Sequence, residues 1–189
     1  MKFISIATFL LASSIASLCQ GADVYTADPE HTFVSFSYRH LNYSIQTSRF
    51  DGVTGIITLN EENNGGTIDM TIDTKSVSTG SAVFNKIIQS EDFFATERFP
   101  VATFKSEQFI FNKNGIPPIN GEVTIKGITK PIAIEVSEIS CSRNLLTLKY
   151  TCGANAIVKL SRSDFNLGKY TPFVGDDVTV NMVIEASRE

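Results

Sequence analysis

The sequence predicts an all-β domain with one short helix. Apolar and polar residues alternate along most of the chain after residue 23, and clusters of Gly, Asn and Asp separate the alternating runs. Residues 81–89 instead have helical spacing, with Val83, Phe84, Ile87 and Ile88 on one side. Strands at this density in one domain form either a sandwich or a closed antiparallel barrel, and closure removes exposed sheet edges.

Residues 1–21 have the pattern of a secretory signal peptide, in which a Lys at the second position precedes an apolar run. The run covers residues 3–18, which is too short for a membrane span of roughly 20 residues. Small residues follow it, and the best cleavage positions are after Gly21 or Ala22. We therefore expect residues 22–189 to form one domain that is periplasmic or secreted.

The second predicted strand carries the most informative pattern. Residues 24–26 form a short first strand, which ends at the Asp28-Pro29 turn, and residues 32–41 form the second. One face of this second strand is apolar except at its end and consists of Val34, Phe36, Tyr38 and His40. Such a face suits the wall of an apolar cavity with a polar end, and it suits a filled sandwich core almost equally well.

The remaining strands show the same alternation of apolar and polar residues. They are predicted at residues 48–59, 68–73, 101–111, 122–125, 132–139, 145–150, 154–160 and 178–184. Gly52 and Gly55 are expected to form a bulge or a sharp bend within the first of these. Turns are predicted at residues 61–66, 112–115, 126–127 and 174–176.

Composition and motifs argue against several classes of function. The chain has 16 Lys and Arg against 20 Asp and Glu, and no basic patch suited to nucleic acid stands out. Two histidines are present without a hydrolase, metalloprotease or phosphate-loop motif, so we predict no catalytic site, no metal site and no cofactor. Cys141 and Cys152 are expected to form a disulfide, because a redox pair would need a Cys-x-x-Cys spacing.

Phenylalanine is frequent, with 14 Phe residues in a chain that has no Trp. Phe84, Phe93, Phe94 and Phe99 lie in or after the predicted helix, outside the strand pattern. They form either a plug at one end of a barrel or the mouth of an apolar tunnel, and the residues alone leave both interpretations open.

Several segments together carry a resemblance to a known family. They are residues 28–32 (DPEHT) with His40 and Leu41, 90–94 (SEDFF), 98–106 (RFPVATFKS), 121–131 (GEVTIKGITKP), 161–168 (SRSDFNLG) and 174–178 (VGDDV). Each motif is modest alone, but their order along nearly the whole mature chain is specific. The sequence resembles the YceI-like family, secreted lipocalin-like proteins that bind polyisoprenoid chains.

The resemblance implies an elongated, lipocalin-like antiparallel β-barrel of about eight strands around an apolar tunnel, with the short helix near the barrel mouth. It implies binding without chemistry, with an isoprenoid lipid or isoprenoid quinone as the ligand. The predicted apolar wall consists of Val34, Phe36, Phe50, Phe84, Ile87, Ile88, Phe93, Phe94 and Phe104. Tyr38 and His40 are the candidates to hydrogen-bond a headgroup such as a quinone carbonyl. Peripheral membrane contact and pairing into a homodimer are further expectations for such a barrel.

The helix departs from the family pattern. Asn85, Ile87 and Gln89 stand where the family usually carries Asp, His and Arg, so we expect a more apolar inner side and no polar or metal role for this helix. Arg162 and Asp164 interrupt the strand pattern, and we predict structural roles for them, in a salt bridge and as the cap of a turn. Two alternatives remain open, namely a lipid-modifying enzyme with a polar cluster in the tunnel and a ligand-free, stress-related interaction domain.

Overall fold

The structure is a computed structural model that describes residues 21–60, 64–111 and 116–189. The predicted signal peptide lies outside the described residues apart from its last position, so it stays a prediction. The same is true of residues 61–63 of one predicted turn and of the whole predicted turn at residues 112–115.

Strands make up most of the described chain, as predicted. They are β1 (Asp23–Ala27), β2 (Phe33–His40), β3 (Ser44–Phe50), β4 (Val53–Asn60), β5 (Gly65–Asp73), β6 (Val77–Ser78), β7 (Val101–Ser106), β8 (Phe109–Ile110), β9 (Ile119–Ile125), β10 (Ile128–Arg143), β11 (Tyr150–Ser161) and β12 (Val174–Arg188). The helix α1 (Ala82–Gln89) lies between β6 and β7.

The sheet closes on itself as an antiparallel barrel. β12 pairs with both β1 and β2, which lie end to end along β12 and are separated by the turn at residues 28–32. We call such a position in the wall, whether filled by one strand or by two end to end, a ribbon. β3 pairs with β2 and β4 with β1, so β3 and β4 form a second interrupted ribbon. With β5, β7, β9, β10, β11 and β12 in sequence, the wall has eight ribbons, and the barrel prediction is confirmed over the sandwich. Closure through β12 and β1 removes the edges of the main ring, whereas in the described part of the chain β3 pairs on its outer side only at Arg49 and Phe50, with β6.

The interruption between β3 and β4 falls on one of the two predicted glycines. Asp51 and Gly52 belong to neither strand, which matches the sharp bend expected there. Gly55 instead lies within β4, where a side chain would overlap Met70 and the backbone oxygen of Asp69. Glycine at this position lets β4 approach β5 closely.

Two local predictions are confirmed by the side-chain placement. Phe36 and Tyr38 of β2 are buried and Arg39 is exposed, as the alternation requires. The helix begins one residue later than the predicted segment because Ser81 is its N-cap, where its hydroxyl accepts a hydrogen bond from the backbone N–H of Phe84. Ile88 is buried and Phe84 and Ile87 share its cavity, whereas Val83, predicted on the same side of the helix, is 73% exposed.

Two other predictions were wrong. Residues 145–150, predicted as a strand, are mostly a turn, because the side-chain oxygen of Asn144 accepts from the backbone N–H groups of Leu146 and Thr147. The predicted turn at residues 174–176 lies inside β12. There His40 is paired with Val174 but Tyr38 with Val178, so two steps along β2 match four along β12, and the segment is a bulge.

Candidate functional site

The described residues of the barrel line an apolar cavity of about 330 Å³ and another of about 340 Å³. The first lies at the α1 end, and the second lies at the end where β10 and β11 form a hairpin. Residues common to both linings mark where the cavities adjoin, and we call this group the waist. The waist consists of Val34, Ile72, Phe104, Ile134 and Met182.

The first cavity gathers all eleven residues that the sequence predicted for ligand binding. They are Val34, Phe36, Tyr38, His40, Phe50, Phe84, Ile87, Ile88, Phe93, Phe94 and Phe104. They come from β2, β3, α1, the turn after α1, and β7. The structure therefore places them around one space, while contact with a ligand stays a prediction.

The turn after α1 directs two aromatic rings toward this cavity. The backbone N–H of Phe94 donates to the carbonyl oxygen of Ile88 at 3.0 Å, which folds the chain back against the helix. The Phe94 ring then lies 5.2 Å from the Phe50 ring and 6.1 Å from the Phe36 ring, between ring centres. These contacts close much of the α1 end, and a cavity remains beneath them. The aromatic residues are thus both a plug and a cavity wall.

The other side of this end is tied to the same turn. Lys126 donates from Nζ to the carbonyl oxygens of Glu91 at 2.9 Å and Asn166 at 3.1 Å. Burial lowers the pKa of Lys126, against the opposing effect of Glu91. These bonds join the turn after α1 to the segment that follows β11. The ring of Tyr170 in that segment lies 6.4 Å from the ring of Phe93.

Four side chains supply the polar atoms of the first lining, namely Tyr38, His40, Arg162 and Tyr170. Burial raises the pKa of Tyr38, although Arg162 opposes the shift, so the hydroxyl keeps its proton at neutral pH. Burial also lowers the pKa of Arg162. The sequence missed Tyr170 because it lies in an irregular segment with no periodic pattern.

Arg162 is buried and donates to five acceptors. Its Nε donates to the carbonyl oxygen of Gly175 at 2.7 Å. Its two terminal nitrogens donate to the carbonyl oxygens of Leu167, Lys169 and Val174 and to the hydroxyl of Thr171. The predicted salt bridge is wrong, because the guanidinium donates its hydrogen bonds mainly to backbone carbonyl oxygens instead of to a carboxylate. Arg162 thus fixes residues 167–175 along the first cavity.

The predicted turn cap at Asp164 was also wrong. The carboxylate of Asp176 accepts from the Ser163 backbone N–H at 2.9 Å and from the Ser163 hydroxyl at 2.6 Å. Asp176 belongs to the bulge in β12, so the cap comes from a distant part of the sequence. Local spacing therefore pointed to the wrong carboxylate.

The second cavity has an apolar lining that includes both cysteines. Cys141 and Cys152 form the predicted disulfide across β10 and β11, with their Cα atoms 4.1 Å apart. Among the described residues, no Asp, Glu, Lys, Arg or His lines this cavity. Sequence reasoning missed it because alternation marks an inward face without showing whether a cavity lies behind it.

The other histidine of the chain, His31, lies outside both cavities. His31 Nδ1 and an Asp28 carboxylate oxygen are 2.8 Å apart, and Glu185 lies near them, with ligand atoms of all three within 4.8 Å of one another. The hydrogen bond between them lowers the pKa of Asp28 and raises the pKa of His31. The bond itself accounts for the close approach of Asp28 and His31.

In the described part of the chain, α1 is far too short to cross a bilayer, and no other helix is long and apolar enough to do so.

Comparisons with known proteins agree with this architecture. A family model described as the YceI-like domain matches residues 25–186. A UPF0312 protein of Shewanella putrefaciens is 28% identical over 192 aligned residues, which cover all of both chains. The crystal structure of BcnA from Burkholderia cenocepacia aligns with a TM-score of 0.72 at 23% identity and covers 84% of this chain and 98% of that one.

A second solved structure is described as a polyisoprenoid binding domain from Saccharophagus degradans that is implicated in plant cell wall breakdown. It aligns with a TM-score of 0.61 at 16% identity, over 87% of this chain and 98% of that one. At this identity the likeness shows a common fold.

Proposed function

Because the chain belongs to the YceI-like domain family, we propose that it is a periplasmic or secreted protein that sequesters or carries an isoprenoid lipid. The single observation that carries this proposal is the pair of adjoining apolar cavities inside a closed barrel. The solved polyisoprenoid binding domain with the same fold supports the choice of ligand class. The disulfide between Cys141 and Cys152 supports an oxidising compartment.

The physical basis of binding is removal of a hydrocarbon chain from water. Each buried CH₂ group contributes about 0.8 kcal/mol, so one five-carbon isoprene unit contributes about 4 kcal/mol. A chain that passes the waist would occupy both cavities and gain this contribution along its whole buried length. The bulk of the binding free energy would therefore come from the chain, and little from a headgroup.

The polar side chains of the first cavity are suited to orient the ligand. Tyr38 keeps its proton and is available to donate to a carbonyl oxygen, as in a quinone. His40 lies at the end of β2 in the same lining. The Arg162 donors are already used by backbone carbonyls and Thr171, so Arg162 positions the wall rather than a headgroup. We propose an isoprenoid quinone, with its headgroup at Tyr38 and His40, as the preferred ligand.

We propose binding without catalysis. An enzyme acting on the chain would need a polar cluster near the reacting atoms. In the described residues, the polar side chains of the first cavity are two phenols, one imidazole and a guanidinium held by carbonyls, and the second cavity has one phenol, that of Tyr25, in an otherwise apolar lining. This arrangement favours a carrier over a lipid-modifying enzyme. Pairing into a homodimer stays part of the proposal and can be measured by light scattering.

The decisive experiment is native mass spectrometry of protein purified from its own compartment, followed by solvent extraction. We expect a lipid with a prenyl chain at about one per protein molecule, in keeping with one chain that extends through two adjoining cavities. Repeated recovery of empty protein that also fails to take up added quinone would overturn the proposal.

The headgroup assignment has a separate test. We expect His40→Ala to weaken binding of a quinone more than binding of a headless hydrocarbon of equal chain length, because only the quinone loses a hydrogen bond. His31→Ala is the matched control, since His31 lies outside both cavities. Equal losses for the two ligands would assign His40 to packing.

A further inference from the structure

The hairpin between β10 and β11 ends in three leucines that face water. Leu145, Leu146 and Leu148 are 88%, 95% and 64% exposed. They lie in residues 144–149, which we call the hairpin tip. Single exposed leucines are ordinary, but three together at a protruding turn form an apolar patch typical of an interaction site.

The charge of the hairpin segment itself differs from that of the whole chain, although Glu185 of the neighbouring strand β12 pairs with Gly153 at its base. The chain has a net charge of −4, yet no acidic residue occurs between Glu138 and Asp164. Lys149 directly follows Leu148, and Arg143 lies two residues before Leu145. Arg143 Nε donates to the carbonyl oxygen of Leu148 at 3.1 Å, which keeps this cation beside the tip. Exposed leucines flanked by cations match the chemistry of a bilayer surface that contains anionic lipids.

The hairpin tip also adjoins the second cavity. Ile139 and Cys141 on one strand, and Cys152 and Ala154 on the other, line that cavity. Ile139 is itself half-exposed, so the cavity reaches the surface at the base of the hairpin. The disulfide joins the two strands at this level. An apolar opening therefore lies next to an apolar tip.

We propose that the hairpin tip inserts into the surface of a lipid bilayer and sets the apolar opening of the second cavity against it. The leucines enter the acyl boundary, while Arg143 and Lys149 remain at the level of anionic headgroups. Exchange of a lipid through this opening rests on the proposed function, whereas docking itself does not.

The opposite end of the barrel is the competing surface. Tyr43 and Phe173 are exposed there, and a hydrogen bond from Leu41 N–H to the Phe173 carbonyl oxygen joins their segments. That end leads to the first cavity, whose lining contains His40 and Arg162. This end also exposes apolar side chains such as Ile45 and Val83, but the turn after α1 adds the exposed carboxylates of Glu91 and Asp92, which anionic lipids repel, so it is the poorer match.

The test is flotation of purified protein with vesicles of phosphatidylcholine alone or mixed with phosphatidylglycerol. The N-terminus is first determined by mass spectrometry, because residues 1–21 are apolar and would themselves bind vesicles if retained. We expect binding to the mixed vesicles that weakens with added salt, since two cations contribute. Absence of binding to both kinds of vesicle would overturn the proposal.

Variants identify the surface that docks. Leu145→Ser combined with Leu146→Ser should lower the partition coefficient at least about tenfold, because two buried apolar side chains are lost. Arg143→Gln with Lys149→Gln should remove most of the salt dependence. Tyr43→Ser with Phe173→Ser is the matched control at the opposite end and should bind as wild type. The reverse pattern, with loss only in this control, would overturn the proposal.

Two further measurements separate docking from other outcomes. Uptake of a short-chain quinone in vesicle-free solution should be equal in wild type and the leucine variant, so a failure of lipid binding is distinguishable from a failure of docking. Light scattering reports whether the leucines join two copies instead. A wild-type dimer that the leucine variant converts to monomer would assign the hairpin tip to self-association and overturn membrane docking.

Discussion

Replacing Arg162 tests whether one buried guanidinium holds the wall of the first cavity. Arg162 makes five donations, four of them to backbone carbonyl oxygens between residues 167 and 175. In Arg162→Lys the single ammonium group has three protons, so at least two of these five acceptors lose their donor. A buried acceptor left unsatisfied costs about 1–3 kcal/mol, which gives a loss of about 2–6 kcal/mol in the free energy of unfolding.

This loss is large against the 5–15 kcal/mol typical of a whole domain. At about 2–4 °C per kcal/mol for a chain of this size, the Tm should fall by about 4–24 °C. Urea unfolding gives the free energy, and amide hydrogen exchange locates the change. We expect faster exchange in residues 167–175, which border the first cavity.

Arg98→Lys is the matched control. Arg98 is 65% exposed and lies 3.2 Å from a carboxylate oxygen of Glu91, so the same substitution there should change stability by less than about 1 kcal/mol. An Arg162→Lys protein within about 1 kcal/mol of wild type, with unchanged exchange in residues 167–175, would refute the assigned role.

Three further predictions concern the interior, the disulfide and the surface turn. Ala156 lines the second cavity, so Ala156→Phe should reduce binding of long-chain quinones in a titration while short-chain quinones still bind; equal loss of both would contradict a chain in that cavity. Cys141→Ser with Cys152→Ser should lower the free energy of unfolding by about 2–4 kcal/mol, measured in urea, because a closed loop is opened; no loss would contradict this. The bond between His31 and Asp28 raises the pKa of His31 and lowers the pKa of Asp28. The contribution of this bond to the free energy of unfolding is therefore largest between the unfolded-state pKa values of Asp28 and His31. It disappears as pH rises through the raised pKa of His31 or falls through the lowered pKa of Asp28. Tm values between about pH 3 and pH 9 should show this dependence in wild type and lose it in His31→Ala, and identical profiles would rule the contribution out.

The residues that line the first cavity could be predicted from local periodicity together with a family resemblance. Val34, Phe36 and Tyr38 alternate so regularly that their common face could be assigned from the sequence alone. Whether that face bordered a cavity or a filled core depended on strands far along the chain that do not pair with β2, such as β9 and β10, which contribute Val123 and Ile132 to the same lining. Alternation carries no information about that spacing.

Predictions failed where a distant partner or a side-chain hydrogen bond overrode a local pattern. Four of the five acceptors of Arg162 are backbone oxygens, which have no signature in the sequence. The turn at residues 144–149 depends on hydrogen bonds to the side chain of Asn144, whereas the local pattern of its leucines predicted a strand. Val174 to Asp176 looked like a turn because of Gly175, but pairing with β2 keeps this segment in a strand.

The double pairing of β12 determines how the protein can fold. Its partners β1 and β2 lie more than 130 residues earlier in the chain, as in the pairings of Ala27 with Ala186 and His40 with Val174. Until those contacts form, β12 on one side and the β1/β2 ribbon on the other remain edges that can pair with another molecule. Contacts between such distant residues form slowly, because loop-closure entropy is lost before they stabilise the chain. The slow step of folding should therefore be the pairing of β12 with β1 and β2. Conditions that delay this pairing should favour aggregation.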